Sequence, residues 1–267
     1  MRARNWAVAV VVATASPAVG ADLSGGFVPS AGDPFFTAGP TVVGHLSLGA
    51  GLLQDDGLFF GGDDTVGIFS GAGRANFNLS DTWNVEVETG GQSVFDDGSS
   101  FSSIGAAGHL WTRLDRAAVG VFAGVDFPSG ATVGTLGIEG ETYFGNITLG
   151  AEANYSWSDS LGDFWTIGGW ADYYLTPDLR ISGVLDYSSG DIPDTLTASV
   201  DTEYRFSGTP LSAWGEVNYS NIATGGGDAD IWSGLFGLRF FLDGGETLEE
   251  HDRSVPWEGL LSTKIRF

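Results

Sequence analysis

From residue 41 to residue 241 apolar and polar residues alternate with a period of two almost without interruption. That is the pattern of strands whose two faces meet different surroundings. Short turn signals punctuate the alternation at Ser80-Asp81, Asp115-Arg116, Gly145-Asn146, Thr176-Pro177-Asp178 and Ser207 to Pro210. Between them lie more polar connections at 55–64, 92–100, 128–131, 158–163, 188–194 and 221–228. The punctuation predicts twelve strands, at 41–54, 66–79, 82–92, 101–114, 117–127, 132–144, 147–157, 164–175, 179–188, 195–206, 211–220 and 230–241. Each is close to the ~9–11 residues that cross a bilayer at a tilt.

The placement of charge decides between a soluble and a membrane setting. The apolar residues alone assign one face of each strand: Trp83, Val85 and Val87; Ile147, Leu149, Ala151, Ala153 and Tyr155; Leu196, Ala198, Val200, Tyr204 and Phe206. The Asp, Glu and Arg of the strand bodies are then all expected on the opposite parity, as Glu86, Glu88, Glu152, Asp201, Glu203 and Arg205 are. A soluble sandwich puts its charges on the outside. A barrel in lipid must not, because Arg or Lys facing mid-bilayer costs ~2–4 kcal/mol.

Aromatic residues sort to both ends of the uncharged face. At the loop side stand Phe127, Tyr155, Trp157, Trp165, Tyr187, Tyr219 and Trp232. At the turn side stand Phe77, Trp83, Phe144, Tyr173, Tyr204, Phe206 and Phe240. Two such girdles suit the headgroup level on either side of an apolar band. The expected fold is all-β: a closed, antiparallel, up-and-down transmembrane barrel.

Composition agrees with an exported chain. Arg2 and Arg4 precede an apolar run from Trp6 to Ala15, and Val19-Gly20-Ala21 offers small residues for cleavage. Residues 1–21 read as a signal peptide rather than as a strand or helix of the fold. Without them nine Lys and Arg face 34 Asp and Glu. Nucleic acid, which needs a basic face, is not an expected partner. With no Cys there is no disulfide framework and no thiolate metal site. Residues 22–40 are expected as an N-terminal periplasmic segment, 41–242 as the barrel and 243–267 as an acidic periplasmic tail. The alternative for the tail is a further strand at Leu260 to Phe267.

At the level of pattern the chain resembles the small outer-membrane barrels of Gram-negative bacteria, over about residues 41–241. The resemblance implies short turns on the periplasmic side, longer loops outside, and outer-membrane lipid and lipopolysaccharide as neighbours. The last strand, ending Leu238-Arg239-Phe240-Phe241, looks like the aromatic-ended strand such proteins present to the barrel-insertion machinery, without that signal's usual glycine spacing.

Candidate chemistry lies on the inward face. It carries the acids Glu86, Glu88, Asp126, Glu139, Glu141, Glu152, Asp172, Asp186, Asp201, Glu203 and Glu216, and the arginines Arg74, Arg113, Arg180, Arg205 and Arg239. The short turns predict register: Glu139 opposite Glu152, Asp201 opposite Glu216, Arg74 opposite Glu88. Like charges directly opposite are destabilising and need a proton, a cation or an arginine nearby. The arginines gather at the turn side, the paired acids nearer mid-membrane. An open lumen would then favour cations; the alternative is a salt-bridged, plugged barrel partly filled by Trp111, Phe122, Trp170 and Trp214. The catalytic candidates are weak. His45-Leu46-Ser47 has an H-x-S order similar to outer-membrane lipid A deacylases, but no third group orienting the base is assignable. His109 reads as lumen packing and His251 as solvated tail. No cofactor and no metal set is expected from spacing. Acidic loops (Asp55-Asp56, Asp63-Asp64, Asp96-Asp97, Asp159, Asp163, Asp191, Asp194, Asp228, Asp230) read as a solvated surface, or as sites where divalent cations bridge to lipopolysaccharide.

Overall fold

Alternation of this kind satisfies backbone hydrogen bonding only if every strand finds two neighbours, and in lipid only a closed sheet does so. The computed structural model describes residues 42–56, 63–80, 82–95, 100–224, 227–242 and 247–257. In it twelve antiparallel strands close into one barrel: β1 (Val42–Asp56), β2 (Asp63–Asn78), β3 (Trp83–Phe95), β4 (Ser100–Leu114), β5 (Ala117–Asp126), β6 (Val133–Phe144), β7 (Ile147–Trp157), β8 (Phe164–Thr176), β9 (Leu179–Gly190), β10 (Thr195–Arg205), β11 (Leu211–Thr224) and β12 (Gly227–Phe241). Each strand pairs with its chain neighbours, and β1 pairs with β12 to close the seam. Residues 1–41 lie outside the described part, and with them the signal peptide and the N-terminal segment.

The tight turns set the register. Gly145 takes φ +60° and Asp115 φ +34°, the left-handed conformations that two-residue hairpin loops require. Glu139 stands opposite Glu152, Asp201 opposite Glu216 and Arg74 opposite Glu88. On the loop side several strands run further than the hydropathy suggests: β11 and β12 pair out to Thr224 and Gly227. Ladder hydrogen bonds are indifferent to side-chain polarity, so a hairpin can continue beyond the apolar band.

Large apolar side chains cover the outward parity, with Leu52, Ile138, Val200 and Phe236 among the most exposed. Such a belt would aggregate in water and is at home in lipid. At the loop end of β12 two charges, Asp228 and Asp230, break the parity rule. Asp230 shares the outward parity of Trp232, at the loop end of β12, where it accepts hydrogen bonds from the Tyr219 hydroxyl and the Asn221 amide, each at 2.8 Å. It lies past the girdle, which is why the position tolerates a carboxylate. Inside, the large rings fit because glycines face them: Gly150 lies opposite Trp170 and Gly137 opposite Phe122. A Cβ on Gly150 would come within 1.9 Å of the indole, so only glycine lets that ring lie against the wall.

The tail departs from expectation. Residues 247–257 do not lie outside the barrel. They enter its turn-side mouth as a short helix, α1 (Leu248–Ser254), followed by Val255 to Trp257. Thr247 and Glu250 form a capping box at its start. Leu248 packs with Tyr174 and Phe241, and His251, expected to be solvated, is fully buried. The tail is not uniformly acidic. Leu248, Val255 and Trp257 give it an apolar side, and burying that side inside the mouth is favourable by roughly 25 cal/mol per Å². Residues 243–246 and 258–267 are outside the described part, including the segment in which a thirteenth strand was the alternative.

Candidate functional site

The site is the lumen, and its turn-side end is built from five arginines. Arg74, Arg113, Arg180, Arg205 and Arg239 each stand one or a few residues from a turn on the inward parity, and every one of them reaches the tail. Arg74 donates to the Trp257 carbonyl, Arg113 to the Arg253 carbonyl and Arg205 to the Thr247 carbonyl. Arg180 Nη1 lies 2.8 Å from Asp252 Oδ2, and Arg239 Nη1 4.0 Å from Asp252 Oδ1. The tail reciprocates: Arg253 donates to the Gly145 carbonyl in a barrel turn, and Tyr174 donates to Asp252 at 3.0 Å. Arg205 also lies over the Phe241 ring, 4.1 Å from its centroid. The mouth is thus stoppered by main-chain carbonyls and one carboxylate, the acceptors that guanidinium forks suit.

Above the stopper two ionic networks occupy the lumen. In the first, Arg74 contacts Glu86 and Glu88, each at 3.3 Å, and His109 contacts Glu139 at 2.9 Å. In the second, Arg180 contacts Asp201 at 3.1 Å and Arg239 contacts Glu203 at 2.7 Å. Hydroxyls complete it: Ser182 donates to Asp172, Ser212 to Glu203 and Tyr143 to Glu141. Glu152 and Glu216 face Glu139 and Asp201 from the next strands. Asp126, nearer the loops, accepts from Ser103 at 2.6 Å. Between stopper and networks lies a cavity of about 70 Å³, bounded by Glu88, Asp201, Glu216 and Arg239 from the wall and Asp252 and Trp257 from the tail. That is room for roughly five waters.

The loop-side half of the lumen is unequal around its circumference. On β1, β2, β3, β11 and β12 it is apolar, with Leu53, Val66, Ile68, Val94, Ile222 and Ile231 packed together. Across from them hydroxyl pairs line the wall, Thr135 with Ser156 and Thr166 with Ser188, and Thr197 with Ser220 on β11 marks the border of the two sectors. The apolar sector went unread in the sequence because these side chains share parity with the charges.

His45 and Ser47 do not assemble an acyl-transfer site. Both are buried at the turn end of β1, beneath the tail. His45 Nδ1 lies 3.0 Å from His251 Nε2, so the ring's partner is a second imidazole and not the carboxylate that would orient a base. His109 is more than packing. The sheet register puts it opposite Glu86, and Glu86, Glu88 and His109 bring ligand atoms within 4.8 Å of one another. No sequence spacing displays that set, because the β3–β4 connection is too long to fix a register in advance. The tail's role had one visible sign, the Thr247-x-x-Glu250 capping pattern.

The girdle residues face outward on the described strands, with Tyr219 half-buried against Trp232 at a ring separation of 4.7 Å. Among the loop acids, Asp191 accepts from the Asp163 N–H at 3.0 Å and Asp163 accepts from the Tyr155 hydroxyl at 2.6 Å. Asp96 and Asp97 lie outside the described residues, as do the side chains of Asp55, Asp56, Asp63 and Asp64.

No family model and no curated protein sequence matches the chain. Solved structures do. An outer-membrane channel from Pseudomonas putida F1 is similar over 81% of this chain and 100% of its own, with TM-score 0.55 at 11% identity. The porin NanC matches 73% of this chain and 98% of its own, with TM-score 0.55 at 12% identity. The porin KdgM, in complex with disordered oligogalacturonate, matches over the same shares with TM-score 0.51 at 11% identity. At such identities the likeness is one of fold. This chain has the fold of outer-membrane β-barrels.

Proposed function

We propose that this protein is a small channel of the bacterial outer membrane, cation-preferring, with a periplasmic mouth closed by its own C-terminal segment. The observation that carries the reading is the division of labour inside the barrel. All five inward arginines engage the tail, while the acids Glu139, Glu152, Asp201 and Glu216 stand further from the turns and face the lumen. The polar acceptors of the stopper have an alternative partner in water, so what opposes its leaving is the apolar side of Leu248, Val255 and Trp257. Acids in a low-dielectric tube concentrate cations once the tube is open. Porins and channels adopt this fold, which agrees with the reading.

Planar-bilayer recording tests it. The full chain should conduct rarely. A chain lacking residues 243–267 should conduct steadily, with a reversal potential under a salt gradient displaced toward the cation potential. Anion preference would refute the selectivity. Silence of the truncated chain would favour the second reading, a structural barrel, which the small cavity and the packed apolar sector support. We also propose that lipopolysaccharide surrounds the loop side, that divalent cations bridge it to the acidic loops, and that the insertion machinery receives β12.

A further inference from the structure

Glu86 and Glu88 project from one face of β3, and His109 faces Glu86 from β4. All three are shut off from solvent. His109 Nδ1 lies 2.9 Å from Glu139 Oε1. A carboxylate accepts, so the ring donates from Nδ1, and Nε2 is the nitrogen left to face a ligand. Nε2 lies 3.6 Å from Glu88 Oε1, beyond hydrogen-bond length, and carries no hydrogen bond among the described residues. Glu86 is similar: it meets Arg74 Nε at 3.3 Å through Oε1, and neither of its oxygens carries a hydrogen bond among the described residues. Arg74 therefore takes one oxygen of each glutamate, Glu86 Oε1 and Glu88 Oε2. One ligand atom from each of Glu86, Glu88 and His109 lies within 4.8 Å of the others, and two of the three residues, Glu86 and His109 through Nε2, aim buried polar atoms without a hydrogen bond into that space.

We propose that Glu86, Glu88 and His109 form a binding site for one divalent transition-metal ion of the Zn²⁺ class, with Glu139 as the positioning residue that fixes the imidazole. One nitrogen and two carboxylate oxygens suit Zn²⁺ in an open site that keeps a fourth position for water. The same set is poor for Ca²⁺ and Mg²⁺, which take all-oxygen shells. The Glu139 contact on the far ring nitrogen is the outer-shell arrangement that metal-bound histidines favour. The ion would also offset the surplus of Glu86, Glu88 and Glu139 over Arg74. The site lies in the wall and does not depend on whether the barrel conducts.

The test uses the full chain, refolded in detergent, stripped with chelator, equilibrated with Zn²⁺ and desalted, with folding checked by heat-modifiable electrophoretic mobility. Elemental analysis should find one zinc per chain. His109→Gln and Glu86→Gln should each abolish retention, and Glu139→Gln should keep the stoichiometry while weakening affinity by about 10–100-fold. X-ray absorption on the wild-type chain should show one imidazole nitrogen at ~2.0–2.1 Å beside carboxylate oxygens, a readout that survives if a variant fails to fold. Less than a tenth of an equivalent, retention unchanged in the folded variants, or an all-oxygen shell would overturn the proposal; the last two would point to the loop acids.

Discussion

His45 Nδ1, on the first strand of the barrel, lies 3.0 Å from His251 Nε2 on the tail helix. The pair sits at the seam, because His45 stands opposite Phe241 where β1 meets β12, and the Phe241 ring packs edge-on to His251 at 4.5 Å. One imidazole must donate and the other accept, so each satisfies a buried nitrogen of its partner. Replacing one ring strands the other, at a cost of ~1–3 kcal/mol. His45→Phe and His251→Phe should each destabilise tail docking by about that much, and the double variant by clearly less than the sum. Protease sensitivity of the tail, followed against denaturant, measures all three. Strict additivity would show that the rings are neighbours without being coupled.

Among the described residues, Asp252 is the tail carboxylate within reach of two barrel arginines, Arg180 at 2.8 Å and Arg239 at 4.0 Å. Asp252→Asn keeps the shape and removes the charge. A loss of ~1–3 kcal/mol corresponds to about a 5- to 150-fold shift from docked to released tail. Single-channel recording should show open probability rising by a factor in that range. Arg180 and Arg239 keep Asp201 and Glu203 as partners, so the barrel itself should unfold at an unchanged denaturant concentration. A fall in barrel stability with no change in opening would make Asp252 a structural brace only.

How legible this was differs between wall and stopper. The wall could be read because a strand has only two faces and the penalty for charge in lipid selects one. Two- to four-residue turns then fixed Glu139 against Glu152 and Asp201 against Glu216. Asp230 was misplaced because parity carries no information about depth. The stopper was opaque because α1 is only seven residues long and the docking of the tail depends on arginines up to 183 positions upstream, Arg74 to Trp257 being the extreme. The turn-side clustering of those arginines was visible, but its meaning needed the tail in place. The Glu86–His109 contact crosses a long loop, where sequence offers no register.

The lipid face gives a test of depth. Ile138 lies mid-strand on β6 and is 62% exposed; Phe127, just past the end of β5, is 46% exposed. Ile138→Arg should cost ~2–4 kcal/mol in folding from denaturant into bilayers, while Phe127→Arg at the headgroup level should cost ~0–1 kcal/mol beyond the lost aromatic anchor. Equal costs at the two positions would mean that the apolar belt is not centred where the girdles place it.

The source of the proposed cation preference can be tested apart from the loops. Removing the tail takes partners from Arg113 and Arg205, but leaves Arg74 with Glu86 and Glu88, Arg180 with Asp201, and Arg239 with Glu203. Those three cations are already matched inside the barrel, so acids still dominate the lumen. Glu216 and Asp201 face each other across β10 and β11 and border the cavity. In the truncated chain Asp201→Asn with Glu216→Gln removes two of the eleven inward acids and leaves Arg180 without its 3.1 Å partner. Both effects point the same way, so the reversal potential should move toward zero, most clearly in dilute salt, where the Debye length of ~30 Å at 0.01 M spans the lumen. At 1 M, where it is ~3 Å, variant and parent should converge. A preference untouched in dilute salt would place its origin in the acidic loops, and neutralising Asp159, Asp163, Asp191 and Asp194 should then abolish it.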